Sequence, residues 1–132
     1  MRRVVVALSL VATATLTAAS AETSAVYAAC IADSGGATAV ILDCMAAEIR
    51  RQEAELDRWS RRFLRTLDPE SATRWQETQR LWRSYRDRQC AFFHHPRSGS
   101  GGVVDVQQCV LEETARHLTV VRALVENAGM VP

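Results

Sequence analysis

Four cysteines, Cys30, Cys44, Cys90 and Cys109, and three histidines, His94, His95 and His117, are the residues with the most legible chemistry. Cysteine and histidine together can hold zinc, and Cys90-x-x-x-His94 has a tolerable ligand spacing. Zinc ligation needs thiolates that stay reduced, and the start of the chain points to an oxidising destination. Met1-Arg2-Arg3 is cationic, Val4 to Leu16 is apolar and uncharged, and Ala19-Ser20-Ala21 is a small-x-small cleavage pattern. Residues 1–21 therefore read as a signal peptide and residues 22–132 as a periplasmic or secreted domain. There an even number of cysteines reads as disulfides, with no metal and no cofactor.

Catalysis finds no support. Ser98 and Ser100 have histidines nearby, but they lie in a glycine-rich stretch with no orienting partner or oxyanion frame. No phosphate-binding glycine pattern occurs, and the carboxylates are interspersed with arginines that keep them ionised. The expectation is a protein that binds, not an enzyme.

Composition narrows the partners. Without residues 1–21 the chain has 111 residues, enough for one domain. Fourteen arginines then face 15 acidic residues, and there is no lysine, so the net charge is −1. Such a balance supplies no large field toward nucleic acid or an anionic membrane. The apolar run at the start is too short for a stable span, so no stable membrane insertion is expected after cleavage.

The elements that position these residues are helices. Ile41, Met45, Ile49, Gln52, Leu56, Trp59, Phe63 and Leu67 recur at spacings of three and four, which predicts a helix over about 38–67. Its other face carries Arg50, Arg51, Glu55, Arg58, Arg61, Arg62 and Arg65, with Asp57–Arg61 and Glu55–Arg58 as expected surface pairs. Asp68-Pro69-Glu70 ends it and starts a second helix, Asp68 capping and Pro69 in the first turn. That helix is expected to reach Phe93 or His94, with Trp75, Thr78, Trp82, Tyr85 and Phe92 inward. Pro96 stops it, and Arg97-Ser98-Gly99-Ser100-Gly101-Gly102 reads as a flexible loop. Asp105 then caps a third helix, about 106–127, with Val110, Thr114, Val121, Leu124 and Val125 inward. A short helix around 24–32, broken at Gly35-Gly36, precedes them. The expected fold class is all-α: a small antiparallel three-helix bundle with a short N-terminal helix, stapled by two disulfides.

The turn at Asp68 is 24 residues after Cys44 and 22 before Cys90, so a hairpin brings both to one end, where Cys109 also falls. Three connectivities are open. Cys30–Cys44 and Cys90–Cys109 are favoured, because each closes a short loop across a glycine-rich linker.

The densest motif is Gln79-Arg80-Leu81-Trp82-Arg83-Ser84-Tyr85-Arg86-Asp87-Arg88-Gln89-Cys90. Here the chain resembles the LprI-type lysozyme-inhibitor family of secreted bacterial domains. Gln79, Arg80, Trp82, Tyr85, Arg86, Asp87 and Cys90 match its central pattern, Gly101-Gly102 its loop, and Cys109 with Thr114 its next segment. The upstream half is looser: Glu53 stands for the usual Asp, Asp57 for Asn, Ser60 for Tyr, and His117 falls near a family arginine. The resemblance spans about residues 30–125 and implies the same local cysteine pairing.

Read physically, Trp82 and Tyr85 are buried rings, and Gln79 makes an interhelical hydrogen bond. Arg86 reaches Glu53 or Asp57 rather than its neighbour Asp87, since adjacent helical residues point about 100° apart, while Asp87 binds backbone. The resemblance implies a lysozyme as partner, inhibited by occlusion of its sugar-binding cleft. The expected contact loop is His94, His95, Arg97, Ser98, Gly101 and Gly102, with Arg97 meeting a catalytic carboxylate. The alternative is a non-catalytic cell-envelope scaffold or module binding another protein. A heptad-like seam on the first long helix also leaves a homodimer open.

Overall fold

The computed structural model describes residues 23–94 and 99–129. Four helices follow in order: α1 (Ala25–Asp33), α2 (Thr38–Leu64), α3 (Pro69–Ala91) and α4 (Gly99–Ala128). Among the described residues there is no strand, and the three long helices form the expected bundle with α1 as a short appendage. Residues 1–21, with the expected signal peptide, lie outside the described residues.

Local chemistry sets the boundaries. Asp68 caps α3 by accepting a 3.0 Å hydrogen bond from the Ser71 amide, and Pro69 occupies the first turn. Ser24 caps α1 by accepting from the Tyr27 amide. The α1–α2 turn runs through Gly35 and Gly36 at φ +58° and +78°, a left-handed geometry that a side chain would strain. Leu67 and Phe93 fall just outside their helices, in hydrogen-bonded turns at Leu64 and Cys90.

α2 and α4 run parallel and pack closest, with α3 antiparallel to both and standing farther off. Leu56, Leu118 and Val121 form the buried centre, and Trp59, Trp75 and Trp82 close over it. The stripe expected on α2 is the one observed: Met45, Ile49, Gln52 and Leu56 are buried. On α4, Leu111, Ala115 and Leu118 join Thr114 and Val121 inside. That fuller stripe follows from a helix pressed against α2 along its length.

Two expectations fail. The glycine-rich stretch is not a loop as far as Gly102: α4 begins at Gly99, which enters at φ +54°, and Asp105 lies inside the helix rather than capping it. Each glycine costs a helix about 1 kcal/mol, but extending an existing helix gains one hydrogen bond per residue. A helix packed on α2 and tethered at Cys109 tolerates that cost. On α3 the inward positions are Trp75, Gln79, Trp82, Arg86 and Cys90, whereas Thr78, Tyr85 and Phe92 are exposed. Polar partners waiting on α2 and α4 rotate the helix so that glutamine and arginine, not tyrosine and phenylalanine, enter the interior.

Both disulfides form as favoured, Cys30–Cys44 and Cys90–Cys109, and no cysteine is free. Cys44 sits in the second turn of α2, Cys90 in the last turn of α3 and Cys109 in the third turn of α4, so both crosslinks staple the same pole. The Cys30–Cys44 bond closes a separation of 14 residues. Replacing both with serine should lower stability by about 3 kcal/mol, read as a shifted urea midpoint with an unchanged slope. A midpoint that does not move would mean α1 is held by its other contacts alone.

Candidate functional site

The motif on α3 divides into an inner and an outer set. Inside, Arg86 is only 5% exposed and donates from Nη1 to Glu53 Oε1 of α2 and to Thr114 Oγ1 of α4, both at 2.9 Å. It also pairs with Asp87 at 2.8 Å. That corrects the expectation that neighbours 100° apart stay unpaired, because the long arginine stem curls back while its head stays buried. One turn earlier, Trp82 stacks on His117 with ring centroids 3.9 Å apart, and Gln79 Oε1 lies 3.0 Å from His117 Nε2. Arg83 pairs with Asp57, which among the described residues has no ion pair to Arg61. Glu55 does pair with Arg58, at 4.0 Å, and more closely with Arg122 of α4.

This inner set is an interhelical clamp. α3 has few close backbone approaches to α2, and charge-assisted hydrogen bonds from its side chains hold it in place. It satisfies a buried guanidinium rather than presenting it to a ligand.

The outer set is different. Tyr85 is 61% exposed, Phe92 84% and Phe93 48%, all on the last turns of α3 beside the Cys90–Cys109 crosslink. With Arg88 and Gln89 they line a shallow depression of about 520 Å³. Phe92 and Phe93 meet edge to face at 6.2 Å. Arg88 has no carboxylate within ion-pair distance among the described residues. Exposed tyrosine, phenylalanine and arginine close together are the residue types that anchor protein interfaces.

Of the expected contact loop, His94 is exposed at the end of this patch, and Gly101 and Gly102 belong to the first turns of α4. His95, Arg97 and Ser98 lie outside the described residues. Arg80 is exposed and pairs with Glu77. Gln79, Trp82 and Arg86 thus meet in one place, while Tyr85 and Arg80 do not join them. Sequence reasoning missed the patch as a surface because its aromatics were assigned to the core. The one available signal was the alternative 75, 79, 82, 86, 90 spacing, which places the cysteine inward. Among the described residues no group of histidine, cysteine and carboxylate side chains is arranged to hold a metal.

The family model described as Lysozyme inhibitor LprI matches residues 30–119, well over half of the chain. The chain belongs to this family. No curated protein and no solved structure matches it. The LprI match covers both disulfides, the clamp and the aromatic patch, so all three lie within the family domain.

Two groups in this LprI domain tie stability to pH. His117 is pushed down to about 4 by burial first and by the Arg83 and Arg86 charges second. Burial alone would raise the Glu48 carboxyl, but hydrogen bonds from Arg51, Ser24 and Gln52 outweigh it and hold it near 2. Between pH 6.5 and 4 the unfolded chain binds a proton at His117 that the folded chain refuses, so stability falls as pH drops through that window. Below about 4.5 Glu48 adds a second loss, as its carboxylate must be protonated. A melting-temperature profile for His117→Gln should be flatter than the parent's from pH 6.5 to 4. Parallel profiles would contradict the assignment.

Proposed function

We propose that this LprI-family chain is exported and inhibits lysozyme by binding it, with the stapled pole seated over the sugar-binding cleft. Residues 1–21 act as the signal peptide, and the mature domain works in the periplasm or outside the cell. The observation that carries the mode of action is the exposed cluster of Tyr85, Phe92 and Phe93 beside Arg88, which has no ion pair among the described residues, held on a helix end by a disulfide. A preorganised aromatic surface loses little conformational freedom on binding.

Arg88 takes the role that the sequence suggested for Arg97, placing a guanidinium near the carboxylate pair that muramidases use. The rings fill the cleft where sugar rings would stack, and water and substrate are excluded together. Inhibition is steric and electrostatic, with no covalent step. Net charge does not steer the encounter, but the exposed acids Asp87, Asp105 and Glu112 lie on the same half of the bundle and suit a cationic lysozyme.

A titration of muramidase activity against the purified, oxidised domain tests this. Saturable inhibition approaching completion supports it. Full activity in the presence of micromolar excess would leave the envelope-scaffold reading instead.

A further inference from the structure

The outward face of α2 lies outside the aromatic patch proposed to meet lysozyme, and it carries a dense run of arginine. Arg50, Arg51, Arg58, Arg61, Arg62 and Arg65 are all exposed along it, over about 22 Å of helix. Arg51 is engaged by Glu48 and Glu55, and Arg58 lies 4.0 Å from Glu55. Among the described residues, Arg50, Arg61, Arg62 and Arg65 have no carboxylate within ion-pair distance. The acids of α2 are taken up elsewhere or at the edge of this face: Glu48 is buried and holds Arg51, Glu53 and Asp57 pair with α3, and Glu55 bridges Arg51 and Arg122 of α4. Exposed acids flank the stripe at both ends: Asp43 precedes Arg50, and Asp68, the cap of α3, follows Arg65.

Arg61 and Arg62 complement the negative end of the helix dipole. That effect dies within the last turn and gives no account of Arg50, two turns and more from the helix end. Ala54 is exposed among the arginines and Ala47 just before them, while Trp59 beside the stripe is half-buried under Arg62 at 4.6 Å, so the stripe offers cations rather than an exposed aromatic anchor. A protein partner is a poor match for such a face. A plane of phosphates is a good one, since guanidinium binds phosphate bidentately and a straight row of cations fits a flat surface.

We propose that the outward face of α2 is a peripheral contact surface for an anionic phospholipid bilayer. Contact is with headgroup phosphates only, because no described helix is long and apolar enough to cross a membrane. The near-neutral net charge concealed this, since the exposed acids Asp105, Glu112 and Glu126 sit on α4. The aromatic pole stays free, so the two surfaces act independently.

Each arginine near an anionic surface strengthens binding about fivefold. The test is co-sedimentation of the mature domain with vesicles of equal parts phosphatidylglycerol and phosphatidylcholine, against pure phosphatidylcholine. Binding to the anionic vesicles alone, weakened by salt and about 25-fold by the Arg50→Gln/Arg61→Gln pair, is the expected result. The same pair should leave lysozyme inhibition unchanged, while Arg116→Gln on α4 should leave vesicle binding unchanged. Equal binding to both vesicle types, none to either, or indifference to the Arg50/Arg61 pair would overturn the proposal.

Discussion

Alanine at both Tyr85 and Phe92 should raise the concentration needed to inhibit lysozyme at least about a hundredfold while the domain stays folded. Interface anchors of this type cost about 2 kcal/mol or more each when truncated, and two such losses span that factor even if they are not additive. Neither ring contributes much to the core: Tyr85 is 61% and Phe92 84% exposed. Surface changes of this kind move stability by about 0.5 kcal/mol or less. Inhibition should therefore fall without a matching fall in melting temperature. The measurement is a muramidase titration beside a thermal melt of the same preparation. An unchanged inhibition constant would remove the patch from the interface, and a collapsed melt would return these rings to the core.

Arg86→Ala should have the opposite profile. Arg86 holds Glu53 on α2, Thr114 on α4 and Asp87 on its own helix, from a position almost closed to water. Removing one partner of a buried charge network costs about 3–5 kcal/mol. At roughly 4 °C per kcal/mol for a domain of this size, the melting temperature should fall by about 12 °C or more. Lysine should not restore it, since a single ammonium cannot match the forked geometry of the guanidinium. Arg80→Ala, only two turns away but exposed and paired with Glu77, is the control and should shift stability little. Equal effects at the two arginines would mean that the clamp does not hold α3.

The contrast between these arginines shows which part of the motif the sequence could disclose. α2 was legible because its inward positions are mostly apolar: Met45, Ile49, Leu56 and Trp59 mark the face, and Glu48 and Gln52 interrupt it without breaking the period. α3 was not. Its inner face carries Gln79 and Arg86, so a search for apolar periodicity slides to the next stripe and collects Tyr85 and Phe92 instead. Burial of Arg86 is decided by Glu53 and Thr114, 33 residues before and 28 residues after it in the chain, which no local pattern reports. The disulfide pairing was legible because both loops are short and local. The start of α4 was not, because glycine propensity argues for a loop, whereas packing on α2 and the Cys109 tether decide for helix.

Competition for the cleft is the most direct test of how the domain acts. Lysozyme would be titrated with the oxidised domain by calorimetry, with and without a saturating N-acetylglucosamine oligosaccharide. If the aromatic pole sits in the sugar-binding groove, the oligosaccharide should weaken apparent affinity in proportion to its own occupancy. Undiminished affinity in its presence would place the domain elsewhere on the enzyme and contradict occlusion.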